Sequence, residues 1–113
     1  MISGIKLFVY PVKNLDQATS LFKKTLGVEP YATSPYYVGF RVGDVEIGLD
    51  PNGHQKGLTG PICYWQVKDI AEALKTFEGA GATVHQPVKD VGGGTLTAAA
   101  KDADGNVTWL VQR

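Results

Sequence analysis

Few side chains in this 113-residue chain are of the types that do chemistry, and their spacing narrows what they could do. His54 and His85 lie far apart, and neither has a second ligand at the short spacing of a zinc helix motif. Both read as solvated or structural histidines. Cys63 is the single cysteine, so it forms no internal disulfide, and inside an apolar run it reads as a small buried thiol. Gly92-Gly-Gly94 invites a phosphate-loop reading, yet it lacks the Lys-Ser/Thr ending and the following helix that such loops need. Arg41 and Glu46 flank Gly43-Asp44, which suggests a cross-strand ion pair; as a general base Glu46 would need burial to hold its proton, and Arg41 opposes that. No Ser-His-Asp arrangement emerges from the spacing. The remaining candidates are aromatic: Tyr31, Tyr36, Tyr37, Phe40, Tyr64, Trp65 and Trp109, whose chemistry is stacking and apolar burial.

All seven of these candidates fall on expected strands, where alternation divides them between two faces. The elements that position them occur twice. Tyr10-Pro-Val-Lys-Asn-Leu15, with Ala18 and Phe22, returns 55 positions later as Trp65-Gln-Val-Lys-Asp-Ile70, with Ala73 and Phe77. Each copy reads as a strand entering an amphipathic helix. In the first, a strand over 5–12 meets Asn14 as N-cap, and Leu15, Ala18, Leu21, Phe22 and Leu26 form an apolar stripe that Gly27 stops. Strands near 28–31, 36–42 and 45–49 follow, the last two closing as a hairpin that pairs Val42 with Val45 and Arg41 with Glu46. Asp50-Pro-Asn-Gly53 through Gly57, Gly60 and Pro61 reads as a linker. In the second copy a strand over 61–67 meets Asp69 as cap, and Ile70, Ala73, Leu74 and Phe77 face inward until Gly79-Ala-Gly81. Strands over 82–88, 95–101 and 107–112 complete it, the last two joined by Asp102-Ala-Asp-Gly-Asn106.

Composition suits one compact domain, with 43% hydrophobic and 19% charged residues. Lys plus Arg equals Asp plus Glu at 11 each, so no net field favours nucleic acid or an anionic membrane. The N-terminus lacks the basic flank and apolar run of a signal peptide, and no stretch approaches the roughly 20 apolar residues of a membrane span. A soluble cytoplasmic protein is expected.

Val12-Lys-Asn-Leu15 before Phe22 and Leu26-Gly27, Val67-Lys-Asp-Ile70, Gln86-Pro-Val-Lys89 before the glycines, and Asp102-Ala-Asp-Gly-Asn106 before the last strand together resemble the vicinal oxygen chelate superfamily. That family includes glyoxalase I, bleomycin resistance proteins and extradiol dioxygenases. The resemblance covers nearly the whole chain. It implies an α+β fold of tandem βαβββ modules, module one over 1–50, a linker over 51–60 and module two over 61–113. The modules would form a curved, barrel-like mixed sheet around a cavity, helices outside. It also implies pairing as a homodimer.

Metal-dependent members of the family place a His, Gln or Glu ligand on each of four strands. Counted from Val12, Val67, Gly43 and Gly105, the matching positions here are Leu7, Ile62, Ile47 and Trp109. None offers a donor atom, and a one-residue slip to Glu46 or Thr108 would turn the side chain to the other face. No metal and no cofactor are expected. The favoured function is small-molecule binding without a metal, resembling the bleomycin-resistance branch. Leu7, Ile47, Ile62, Tyr64 and Trp109 would line the pocket, and Tyr37, Arg41 and Gln66 would orient polar groups. Two alternatives stay open: a lyase, isomerase, epimerase or dioxygenase with a displaced metal site or none, and an interaction module whose cavity is closed by Trp109.

Overall fold

The computed structural model describes residues 2–113; Met1, the expected start of module one, lies outside the described residues. The element order is β1 (Ile2–Pro11), α1 (Leu15–Leu26), β2 (Ala32–Ser34), β3 (Tyr37–Val42), β4 (Val45–Asp50), β5 (Ile62–Val67), α2 (Ile70–Gly79), β6 (Thr83–Gly92), β7 (Thr95–Lys101) and β8 (Val107–Gln112). This is the βαβββ order twice over, an α+β chain with mixed sheet pairing. A 3-10 turn, His54–Lys56, sits in the linker. The chain resolves into two compact units: Lys6–Cys63, here the first module, and Tyr64–Arg113 with the start of β1, here the second.

In the first module the strand order is β2-β3-β4-β1, with β1 parallel to β4 and the other pairs antiparallel. Helix α1 begins where the Asn14 Oδ1 accepts the Gln17 N–H at 2.9 Å. It ends at Gly27, whose φ of 72° is open to a residue without a Cβ and whose N–H donates to the Lys23 carbonyl at 3.0 Å. Leu15, Ala18, Phe22 and Leu26 lay its apolar stripe on Val38, Phe40 and Leu49. Leu21, expected in that stripe, is 57% exposed, because the 15-18-22-26 line carries the contact and position 21 falls beside it. Phe40 and Leu49 have no exposed surface, and each contributes roughly 1.5–3 kcal/mol of burial.

One first-module strand expected from sequence falls elsewhere. Residues 28–31 form no strand: Pro30 has no N–H for a ladder, Val28 packs into the α1 core, and pairing begins only at Ala32. The hairpin is as expected, pairing Val42 with Val45 and Arg41 with Glu46 across Gly43, whose φ is 59°.

The second module orders its strands β5-β8-β7-β6, with β5 parallel to β8 and the other pairs antiparallel. Helix α2 is capped twice: the Asp69 carboxylate accepts the Glu72 N–H at 3.1 Å, and the Gln112 Oε1 accepts the Ile70 N–H at 2.8 Å. Ile70, Ala73 and Leu74 pack on Val67, Ala98, Ala100 and Leu110, with Trp65 and Phe77 beside them. Strand β6 runs on to Gly92, beyond the expected 88, and its pairing with β7 shifts at three places, between Val84 and Gln86, Gln86 and Lys89, and Asp90 and Gly92. Such bulges and an edge position let the strand carry Pro87 without losing a needed ladder bond. No helix among the described residues is long and apolar enough to cross a membrane.

Candidate functional site

Each half-sheet has one face under its helix and one turned away from it, and the register decides which side chains stand on the latter. In the second module Trp65 and Leu110, register partners, belong to the α2 core. Their neighbours Tyr64 and Trp109, also partners, therefore stand on the opposite face, with ring centroids 5.8 Å apart and planes at 56°. Gln66 opposite Val111 continues that face. Beside Trp109 on β7 is Ala99, and one step along the same face is Thr97, so small side chains border the indole.

The far side of this strip is built by a bulge. Val84 pairs with Ala100 and Gln86 with Ala99, which leaves His85 as an extra residue on β6. His85 meets the indole of Trp109 nearly edge-on, at 6.0 Å between centroids and 85° between planes. Gln86 donates through Nε2 to the Thr97 Oγ1 at 3.1 Å, which satisfies the buried threonine hydroxyl. The result is a half-buried aromatic surface with amide and hydroxyl groups along one margin. Neither His85 nor the Gln86–Thr97 pair was assigned to the site from sequence, since a bulge leaves no fixed residue type behind.

The first module fills the equivalent face differently. Gly39 and Gly48 are direct cross-strand partners. A Cβ on Gly39 would lie 2.7 Å from the Tyr31 ring, and one on Gly48 would overlap the Tyr37 hydroxyl. Two tyrosine rings thus lie over a paired-glycine floor. Arg41 places its Cζ 4.0 Å from the Tyr31 centroid and its Nε 3.8 Å from Oε1 of Glu46, its register partner. Leu7, itself opposite Glu46 on β1, is buried at 6% exposure.

Of the expected site residues, Tyr64, Gln66 and Trp109 share one face in the second module, and Leu7, Tyr37 and Arg41 share one in the first. Ile62 is half-buried at the start of β5, in alternation with Tyr64 and Gln66. Ile47 is a correction: it packs with Val38, Phe40 and Leu49 under α1, so it stands on the helix-covered face, and Glu46 stands on the other. The cause is turn length. Gly43-Asp44 is a two-residue turn, whereas Asp102 to Asn106 is a longer one, so counting four from each glycine lands on opposite faces. By ladder register the residue matching Trp109 is Gly48, since Val9 pairs with Gly48 as Tyr64 pairs with Trp109.

Leu7, Ile47, Ile62 and Trp109 carry no metal donor, and among the described residues no three His, Cys, Asp or Glu side chains cluster closely enough to hold an ion. The residues present do not fit the divalent metal that the resemblance implies.

Solved structures share the fold. A glyoxalase/bleomycin resistance protein/dioxygenase superfamily member from Vibrio splendidus is 16% identical with a TM-score of 0.71, covering 96% of this chain and 97% of its own. A hypothetical protein from Bacillus halodurans C-125 is 13% identical with a TM-score of 0.80, covering 96% of this chain and 93% of its own. A Streptomyces coelicolor methylmalonyl-CoA epimerase, in complex with 2-nitronate-propionyl-CoA, is 15% identical with a TM-score of 0.75, covering 99% of this chain and 95% of its own. No curated protein sequence matches. The family model described as Glyoxalase/Bleomycin resistance protein/Dioxygenase superfamily matches residues 4–110, nearly the whole chain. The chain belongs to that superfamily.

Proposed function

We propose that the protein binds a flat, largely apolar small molecule and does not transform it. The observation that carries this reading is the Tyr64–Trp109 pair, two half-buried rings in register on the face away from α2, with the small side chain of Ala99 as the indole's neighbour on β7. A ligand ring stacked there would gain apolar burial and offset-stacking energy, and Gln66 with the Gln86–Thr97 pair would set its orientation by hydrogen bonds. Ile62, on the same strand as Tyr64, is assigned as a further contact, and Leu7, Tyr37 and Arg41 are proposed as ligand-binding residues of the first module's own face. The protein would act as a cytoplasmic homodimer, which light scattering on the purified chain checks.

Titration with a panel of aromatic ligands, followed by tryptophan fluorescence and thermal shift, tests the reading. Quenching in the native protein that is lost in Trp109→Leu supports it, with Trp65 as the internal reference in the α2 core. No quenching and no thermal shift across the panel sinks it.

A second reading is favoured by one observation. Glu46 is a carboxylate only 8% exposed, on the face it shares with Leu7 and not under the helix. A buried carboxylate there could take a proton from a carbon acid, as in an isomerase or epimerase. Loss of a proton-exchange activity in Glu46→Gln, with ligand quenching unchanged, would move the function to this class, as would stoichiometric metal in protein purified without chelators.

A further inference from the structure

The first module holds one guanidinium fixed in place without its donors being consumed. Arg41 lies against Tyr31 with Cζ 4.0 Å from the ring centroid. Tyr31 is held in turn: its ring packs on Gly39, where a Cβ would come within 2.7 Å, and its N–H donates to the Gly39 carbonyl at 2.9 Å. From the other side Glu46 faces the Nε at 3.8 Å, close enough for attraction but longer than a hydrogen bond. The Arg41 side chain is nonetheless 64% exposed, and its terminal nitrogens donate to no group among the described residues. An arginine that only neutralised Glu46 would turn its fork onto that carboxylate. Here the guanidinium lies over Tyr31 and its Nε faces Glu46, while the side chain as a whole stays 64% exposed, so its terminal donors remain open to a partner from solvent.

We propose that the Arg41 fork, laid on Tyr31 and steadied by Glu46, is a binding site for the carboxylate of a small organic acid. The chemistry that matches it is an oxyanion taking two parallel N–H donors, and the singly charged carboxylate is the one whose charge a lone guanidinium balances. Net charge is zero, so recognition comes from this one oriented group and not from a diffuse positive field. Glu46 lowers the pull on any anion, which restricts binding to ligands that meet the fork directly. The proposal adds a site for a negative group to the binding reading and rests on residues of the first module alone.

The test follows the Arg41 Nε–H signal by NMR while acetate, benzoate, benzamide and inorganic phosphate are titrated separately, with tryptophan fluorescence recorded in parallel. Acetate and benzoate are expected to move the signal saturably in the millimolar range, whereas neutral benzamide leaves it still. Tyr31→Leu should weaken benzoate binding about two- to fivefold by freeing the guanidinium plane. In R41K the charge remains but the fork is gone, and saturable binding should vanish as measured by calorimetry. Equal binding by R41K, a response to phosphate alone, or no response to carboxylates each overturns the proposal. A moving Arg41 with silent tryptophans keeps this site and removes the Trp109 reading; quenched tryptophan with a still Arg41 does the reverse.

Discussion

The two modules solve one packing problem in opposite ways on the face away from their helices. In the second, the ladder position opposite Tyr64 carries its own bulk, the Trp109 indole, and the neighbouring β7 position is Ala99. In the first, the matching positions are Gly48 and Gly39, and the bulk arrives from elsewhere as the Tyr37 and Tyr31 rings. Residue 31 precedes Ala32, the partner of Gly39, and residue 85 precedes Gln86, the partner of Ala99; one is a tyrosine over a glycine, the other a histidine against an indole. Duplication therefore preserves the backbone ladder while the source of the side-chain volume moves from one strand to the next.

The comparison breaks most severely where each face leans on its core. Phe40→Ala should lower stability in urea unfolding by about 3–5 kcal/mol, because a fully buried ring leaves a cavity under α1. Next comes the glycine floor. Gly48→Ala should cost about 1–3 kcal/mol through the clash with Tyr37, and the cost should shrink by at least about 0.5 kcal/mol in a Tyr37→Ala background. Additive behaviour in that double-mutant cycle would show that the ring does not rest on the glycine.

The helix starts sharpen the contrast at smaller scale. Asn14→Ala and Asp69→Ala each remove one cap acceptor and should each cost about 1 kcal/mol. Gln112→Ala should cost a comparable amount in α2 alone, since the second module adds the Gln112 acceptor at the Ile70 N–H. The smallest effect is expected at His85: its replacement by alanine should change stability by less than about 1 kcal/mol but shift the Trp109 indole resonance, reporting the edge contact. An unmoved indole signal would place the imidazole elsewhere in solution.

Helices, caps and the tight hairpin were legible because each is written locally. Asn14 and Asp69 as caps, Gly27 as a left-handed stop and Gly43-Asp44 as a turn need no knowledge of distant residues. The two modules were legible because the repeated segment includes both a strand and its helix. Facing on β4 was not, since it depends on how many residues the preceding turn consumes, and one residue sends Ile47 under the helix and Glu46 away from it. A signal for the first-module face was present in Gly39 and Gly48. Glycine inside an otherwise β-forming strand marks close approach by another group. His85 left no comparable trace, because the bulge that aims it arises from unequal strand lengths in the β6–β7 ladder.

Those irregularities in β6 bear on more than the aim of one side chain. The strand lies at the end of its half-sheet for ten residues and exposes Val84, Val88 and Val91, which in a flat ribbon would be a template for accretion by other chains. Three register shifts, the missing N–H of Pro87 and the charge of Lys89 interrupt any straight run of donors and acceptors along it. The protein can thus keep a long apolar border in water while denying a foreign strand the continuous rail needed to zip onto it.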